Sequence, residues 1–191
     1  MVDPVSVLLD ALGPGHCGHW SAIHVSLKAI SASDRKPERQ CGRTPRDLFI
    51  KLHTAFNFTV DACASAENAL LPRYWTAEDD CRKQSWTGER VFCNPPFRDT
   101  KTIWPKATEA EVAVMLVLLS SVATVFGGLR PATVLGIPSR RIQFDPPPGI
   151  ERGRPPLPSV LAVFGCVSEL QEACLRALGC TLYYGPETRQ P

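Results

Sequence analysis

Leu48, Phe49, Leu52 and Phe56 recur at the three- and four-residue spacing of one helical face, just behind Thr44-Pro45. That spacing predicts a helix with Thr44 as its N-cap, Pro45 as its first residue and its apolar stripe turned to a core. Then the pattern changes. Short, nearly continuous apolar runs at 58–63, 90–94, 112–120, 133–137 and 159–165 read as strands. The run at 112–120 lacks polar alternation and reads as buried on both faces. Residues 169–178 are amphipathic and stop at Gly179, a common helix terminator, and 180–184 read as a closing strand. Apolar strands interleaved with helical segments predict an α/β sheet with helices on both faces. Ligands in such sheets bind at the carboxyl ends of strands, where Asp61 and Asn94 would both fall.

Residues 1–43 follow a different pattern and read as an N-terminal extension ahead of one domain at 44–191. Short helices at 5–12 and 20–30 are separated by Gly13-Pro14-Gly15, and the polar, charged stretch 31–43 reads as a linker. Pro146-Pro147-Pro148-Gly149 and Pro155-Pro156 bracket a segment that cannot be regular structure. Arg152 and Arg154 lie inside it, with Arg140 and Arg141 just upstream. The segment reads equally as a loop on nucleic-acid phosphates and as an ordinary solvated loop.

At 191 residues the chain can bury a real core in one domain. Its 21 basic and 19 acidic residues leave a net charge of +2, so nucleic-acid contact would need local clusters. Eight cysteines are scattered without a C-x-x-C pair, and the N-terminus lacks the basic start and long apolar run of a signal peptide. Reduced thiols in a cytosolic protein are therefore expected. The longest apolar run, 112–119, is too short to span a bilayer. His16-Cys17-Gly18-His19 with His24 has no second ligand pair at zinc spacing and reads as a loop. No metal is expected.

Asn94-Pro95-Pro96-Phe97 closes the run at 90–94 and carries the most chemistry. An exocyclic amine on a nucleobase is a poor nucleophile, because its lone pair is delocalised into the ring. Alkylating it calls for acceptors that draw both amine hydrogens out of plane. Asn94 offers a side-chain oxygen and Pro95 a carbonyl with no N–H competing beside it. The two prolines hold φ near −65° and so pre-set those acceptors. Phe97 offers an apolar face for an extruded base. The plainer reading is a tight strand-to-loop turn built from common turn formers.

The surrounding order of motifs resembles the phage-type DNA N-6-adenine methyltransferases. The matching stretches are Thr44-Pro45-Arg46-Asp47-Leu48-Phe49, Phe58-Thr59-Val60-Asp61-Ala62-Cys63-Ala64-Ser65, Glu67-Asn68-Ala69 and Arg73-Tyr74-Trp75-Thr76. Asp79-Asp80, Trp86-Thr87-Gly88-Glu89-Arg90-Val91 and the Asn94 turn follow. A later block runs from Arg141-Ile142-Gln143-Phe144-Asp145 to the strand ending at Phe164, so the likeness covers about residues 44–165.

The resemblance implies a Rossmann-like fold and S-adenosylmethionine as methyl donor. It also implies double-stranded DNA as partner and methylation of adenine N6 at Asn94, Pro95, Pro96 and Phe97. It places the cofactor at Thr44, Pro45, Asp61, Cys63, Ser65, Ser85 and Trp86, while on the phosphate reading of the loop Arg140, Arg141, Arg152 and Arg154 would meet DNA. A turn cap is the plainer reading of Asp61, against which the order of motifs favours the cofactor, and a plain helix cap explains Thr44-Pro45 almost as well. Ser85 stands where the family commonly has Asp, and Ser120-Ser121-Val122 replaces a Pro followed by Arg-x-Asp. Cytosine N4 or RNA as substrate, and a non-catalytic nucleic-acid or nucleotide-binding relative, stay open beside the leading reading.

Overall fold

The computed structural model describes residues 42–125, 132–146 and 158–185. Its first helix, α1 (Arg46–Phe56), buries Phe49, Leu52 and Phe56 as the spacing predicted, and ends where Asn57 turns left-handed at φ 49°. The predicted cap is not formed. Pro45 occupies the cap position with no side-chain hydrogen bond, and the Thr44 hydroxyl is used elsewhere.

The remaining elements are β1 (Val60–Asp61), β2 (Arg90–Cys93), α2 (Thr100–Ala107), β3 (Val112–Leu118), α3 (Leu119–Val125), β4 (Val134–Pro138), β5 (Ser159–Gly165), α4 (Glu169–Ala177) and β6 (Cys180–Tyr184). Three differ from expectation. Of the run at 58–63 only Val60–Asp61 is strand. The run at 112–120 is a strand only to Leu118, and α3 starts at once, because an apolar run does not mark where strand gives way to helix. Helix α2 was not predicted; it holds Pro105, which is exposed, while Ile103, Trp104 and Ala107 face inward.

The strands form one sheet in the order β1-β2-β3-β5-β4-β6. β1, β2 and β3 are parallel, whereas β5 runs antiparallel to both β3 and β4, and β6 antiparallel to β4. The sheet is therefore mixed, and β4 points the same way as the parallel set. The carboxyl ends of β1 to β4 share one edge, which holds Asp61, Asn94 and Pro138.

Side chains along β3 alternate between two cores. Ala113, Met115 and Val117 join Ile103, Trp104 and Val122 on one face, with Trp104 meeting Phe164 edge-on at 4.9 Å. Val112, Val114 and Leu116 join Phe49, Leu52, Phe56 and Leu175 on the other. Helices thus cover both faces, α2 and α3 on one, α1 and α4 on the other. Among the described residues no helix is long and apolar enough to cross a membrane.

Candidate active site

The Asn94 turn is fixed from outside its own strand. The Asn94 Nδ2 donates to the Gly42 carbonyl at 2.9 Å and to the Thr44 hydroxyl at 3.0 Å. Two acceptors at one end of the amide identify that end as nitrogen and turn Oδ1 the other way, where it takes no hydrogen bond among the described residues. The next carbonyls differ in the same respect. That of Pro96 accepts from Asp99 N–H at 2.8 Å, while that of Pro95 carries no bond among the described residues. Two unspent acceptors, Asn94 Oδ1 and Pro95 O, therefore sit on adjacent residues at a strand end. Phe97 is half-buried and meets Phe144 edge-on at 6.4 Å.

Gly42 was not singled out by its sequence and Phe144 only as part of the later block of the resemblance, and both support this turn. They face each other so closely that a Cβ on Gly42 would lie 2.8 Å from that of Phe144. A pair of backbone hydrogen bonds, each 2.9 Å, joins Arg43 to Asp145 alongside. The segment before α1, the Asn94 turn and the strap at 139–145 are thereby one connected unit. A glycine just ahead of Thr44-Pro45 was the signal available for that close approach.

Asp61 lies on the same edge, at the end of β1, and is buried. Its carboxylate accepts from Leu70 N–H at 3.1 Å and from Cys63 N–H. Burial outweighs those two donors and raises its pKa from 3.8 to about 6. The capping of the 62–70 turn and a buried, poorly compensated negative charge therefore coexist in one side chain. In the loop itself, Ala62 N–H bonds to Phe92, Ala64 N–H to Trp75 and Ser65 N–H to Asn68 Oδ1. With those amides and Cys63 N–H committed, the loop is not a phosphate cradle. It suits a ligand recognised by charge and shape.

The Cys63 thiol is packed among thiols, 3.6 Å from Cys81 and 3.5 Å from Cys93. The Cys81 contact favours its thiolate, but the Cys93 hydrogen bond and burial prevail and hold it well above its ordinary pKa. Cys81 is raised by the Cys63 contact and burial, and Cys93 mainly by burial. None of the three is a poised nucleophile. Trp86, expected at the cofactor, lies inside the core. It is fully buried, donates its indole N–H to the Cys81 carbonyl at 2.8 Å, and holds the 81–86 segment. Ser85 beside it is exposed, and the Ser65 hydroxyl donates to Glu67 at 3.0 Å.

Arg140 and Arg141 are exposed on the strap that leads to Phe144, while Arg152 and Arg154 lie outside the described residues. Thr44, Pro45, Asp61 and the Asn94 turn are thus brought together, and the strap reaches them from the β4 side. Among the described residues no group of three or more His, Cys, Asp or Glu side chains is arranged to hold a metal.

The family described as DNA N-6-adenine-methyltransferase (Dam) matches residues 31–146, from within the charged stretch before α1 through the strap. Over 81 residues the chain is 32% identical to the Escherichia coli (strain K12) protein named "Putative methyltransferase YfdM", covering 38% of this chain and 88% of that one. The family match spans well over half of the chain and includes every element that shapes the edge around Asn94: the chain belongs to the DNA N-6-adenine-methyltransferase (Dam) family.

Proposed function

We propose that this methyltransferase transfers a methyl group from S-adenosylmethionine to N6 of an adenine flipped out of double-stranded DNA, on a Rossmann-like sheet. The observation that carries the reading is the set of unspent acceptors on Asn94 and Pro95, held in place by Gly42 and Thr44. An amine with two hydrogens meets both acceptors at once, its lone pair is localised on nitrogen, and the attack is a direct displacement without a covalent enzyme intermediate. Phe97 supports the base, and Phe144 backs Phe97.

S-adenosylmethionine supplies, when bound, a methyl group activated on a sulfonium. The residues present fit it. Asp61 provides a buried anion for its ammonium, and the 61–65 loop has no free amides that would call for phosphates. The uncapped first turn of α1, after Pro45, favours its carboxylate. Cys63 and Ser65 contribute loop backbone, and Ser85 lies at the rim. Arg140, Arg141, Arg152 and Arg154 are assigned to DNA. Cytosine N4 also carries two hydrogens, so the base is decided by experiment.

The test is mass spectrometry of digested DNA after incubation with purified protein and S-adenosylmethionine, with Asn94→Ala alongside. N6-methyladenine is expected, reduced roughly a hundredfold or more in the variant while its melting curve is retained. A folded Asn94→Ala that methylates at the wild-type rate would remove the catalytic assignment. N4-methylcytosine as product would change the base.

A further inference from the structure

The strap faces a cavity that shares the first turn of α1 with the cofactor site proposed above. It has a volume of about 380 Å³ and lies between the first turn of α1, the carboxyl end of β4 and the strap itself. Neither Asp61 nor Asn94 lines it. It nevertheless adjoins the site, because Pro45 and Asp145 form part of its wall. Pro45 follows the Thr44 that holds Asn94, and Asp145 is paired through its backbone with Arg43.

Along the strap, burial alternates. Ile142 and Phe144 pack on the core, while Arg141 and Gln143 stay exposed. The inward pair clamps the backbone, so the outward side chains project from a fixed support. Gln143 and Arg140 make no hydrogen bond or ion pair among the described residues, and both line the cavity. Phe144 sits between Gln143 and Asp145 in the chain and carries the contact to Phe97. The stacking face and the cavity wall therefore share one support.

An unpaired amide offers a donor and an acceptor side by side, which is how glutamine addresses a base edge, and an unpaired guanidinium suits a phosphate. Asp47 and Asp145 line the same cavity as Arg140 and Arg141, so its formal charges balance, which disfavours a free, multiply charged anion and leaves a base edge to the Gln143 amide. We propose that the cavity takes the nucleotide next to the target adenine in duplex DNA, with Gln143 reading its base edge and Arg140 holding its phosphate. This rests on the DNA-methylation reading above and adds a source of sequence preference to it.

The test is selection of bound duplexes from a randomised pool by wild type, Gln143→Ala, Gln143→Glu and Arg140→Ala, with methylation measured in parallel. Wild type is expected to enrich a short consensus. Gln143→Ala loses about tenfold in discrimination at one position and keeps the others. Gln143→Glu, which exchanges the amide donor for an acceptor, changes the favoured base at that position. Arg140→Ala weakens all sequences alike and lowers the salt dependence by about one ion. A folded Gln143→Ala with unchanged discrimination at every position overturns the proposal, and so does a wild type with no preference. Enrichment lost at one position in Gln143→Ala, without any methylated base from wild type, supports the cavity assignment while removing the methylation reading.

Discussion

Asp61 shows at the level of one residue how a fold prepares a site at its own cost. Its pKa is raised from 3.8 to about 6 by burial, so its contribution to stability is fully present below 3.8 and is lost as pH rises through 6. At pH 7.5 the ionised carboxylate costs about 3 kcal/mol. Asp61→Asn removes that cost, so its melting temperature is expected to gain on wild type as pH rises from 5 to 7.5; parallel pH profiles in scanning calorimetry would contradict this. A bound ammonium favours the ionised form, so affinity for S-adenosylhomocysteine is expected to fall as pH drops below 6 and to be weak at all pH in Asp61→Asn. Titration calorimetry at several pH values reads both. Thr44 is a second case. Thr44→Val removes one of two acceptors orienting Asn94 and is expected to lower the methylation rate about tenfold with little loss of stability. An unchanged rate would mean that Gly42 alone orients the amide.

Among the elements, the strap and the segment before α1 act as a pair. Gly42→Ala places a Cβ 2.8 Å from that of Phe144, so backbone must move apart at the point where Asn94 is held. The expected result is a folded protein with activity reduced by more than its small loss of stability explains, measured as methylation rate beside urea melts. Helix α2 carries an opposite case. The Thr100 hydroxyl is buried with no partner among the described residues, a state that costs about 1–3 kcal/mol. Thr100→Val keeps the shape and removes the polar atom, and is expected to raise the urea midpoint. A lowered midpoint would reveal a partner for the hydroxyl.

Across the whole molecule, the mixed sheet is the platform that sets these parts at one edge. β3 lies at its centre, buried along its full length, and supplies both cores in alternation. Leu116→Ala empties one side of it and is expected to cost about 2–5 kcal/mol in denaturant unfolding. The described ion pairs, such as Arg73–Glu89 and Arg82–Asp80, are at the surface and contribute little beside this. Because one continuous sheet joins β1 to β6, local loss at β3 reaches the edge that holds Asp61 and Asn94 and the cavity alike.

The sequence by itself determined the parts whose signal is local. Helical spacing marked Leu52 and Phe56 as core, apolar runs marked most strands, and the order of short motifs singled out Asp61 and the Asn94 turn at strand ends. Where signals were not local, they failed or were silent. Apolar residues on both sides of Leu118 concealed the switch to helix, and α2, with Pro105 inside it, carried no signal that was read, because which of its faces is exposed is a tertiary fact. Only the tertiary structure turned Thr44 from a helix cap into a partner of Asn94, fifty positions away. Only it buried Trp86, gathered three distant thiols and set β5 and β6 against the parallel strands. The physical reason is common to all of these. Periodicity and propensity describe a chain against solvent, whereas hydrogen-bond partners and buried charge are settled by what the fold brings alongside.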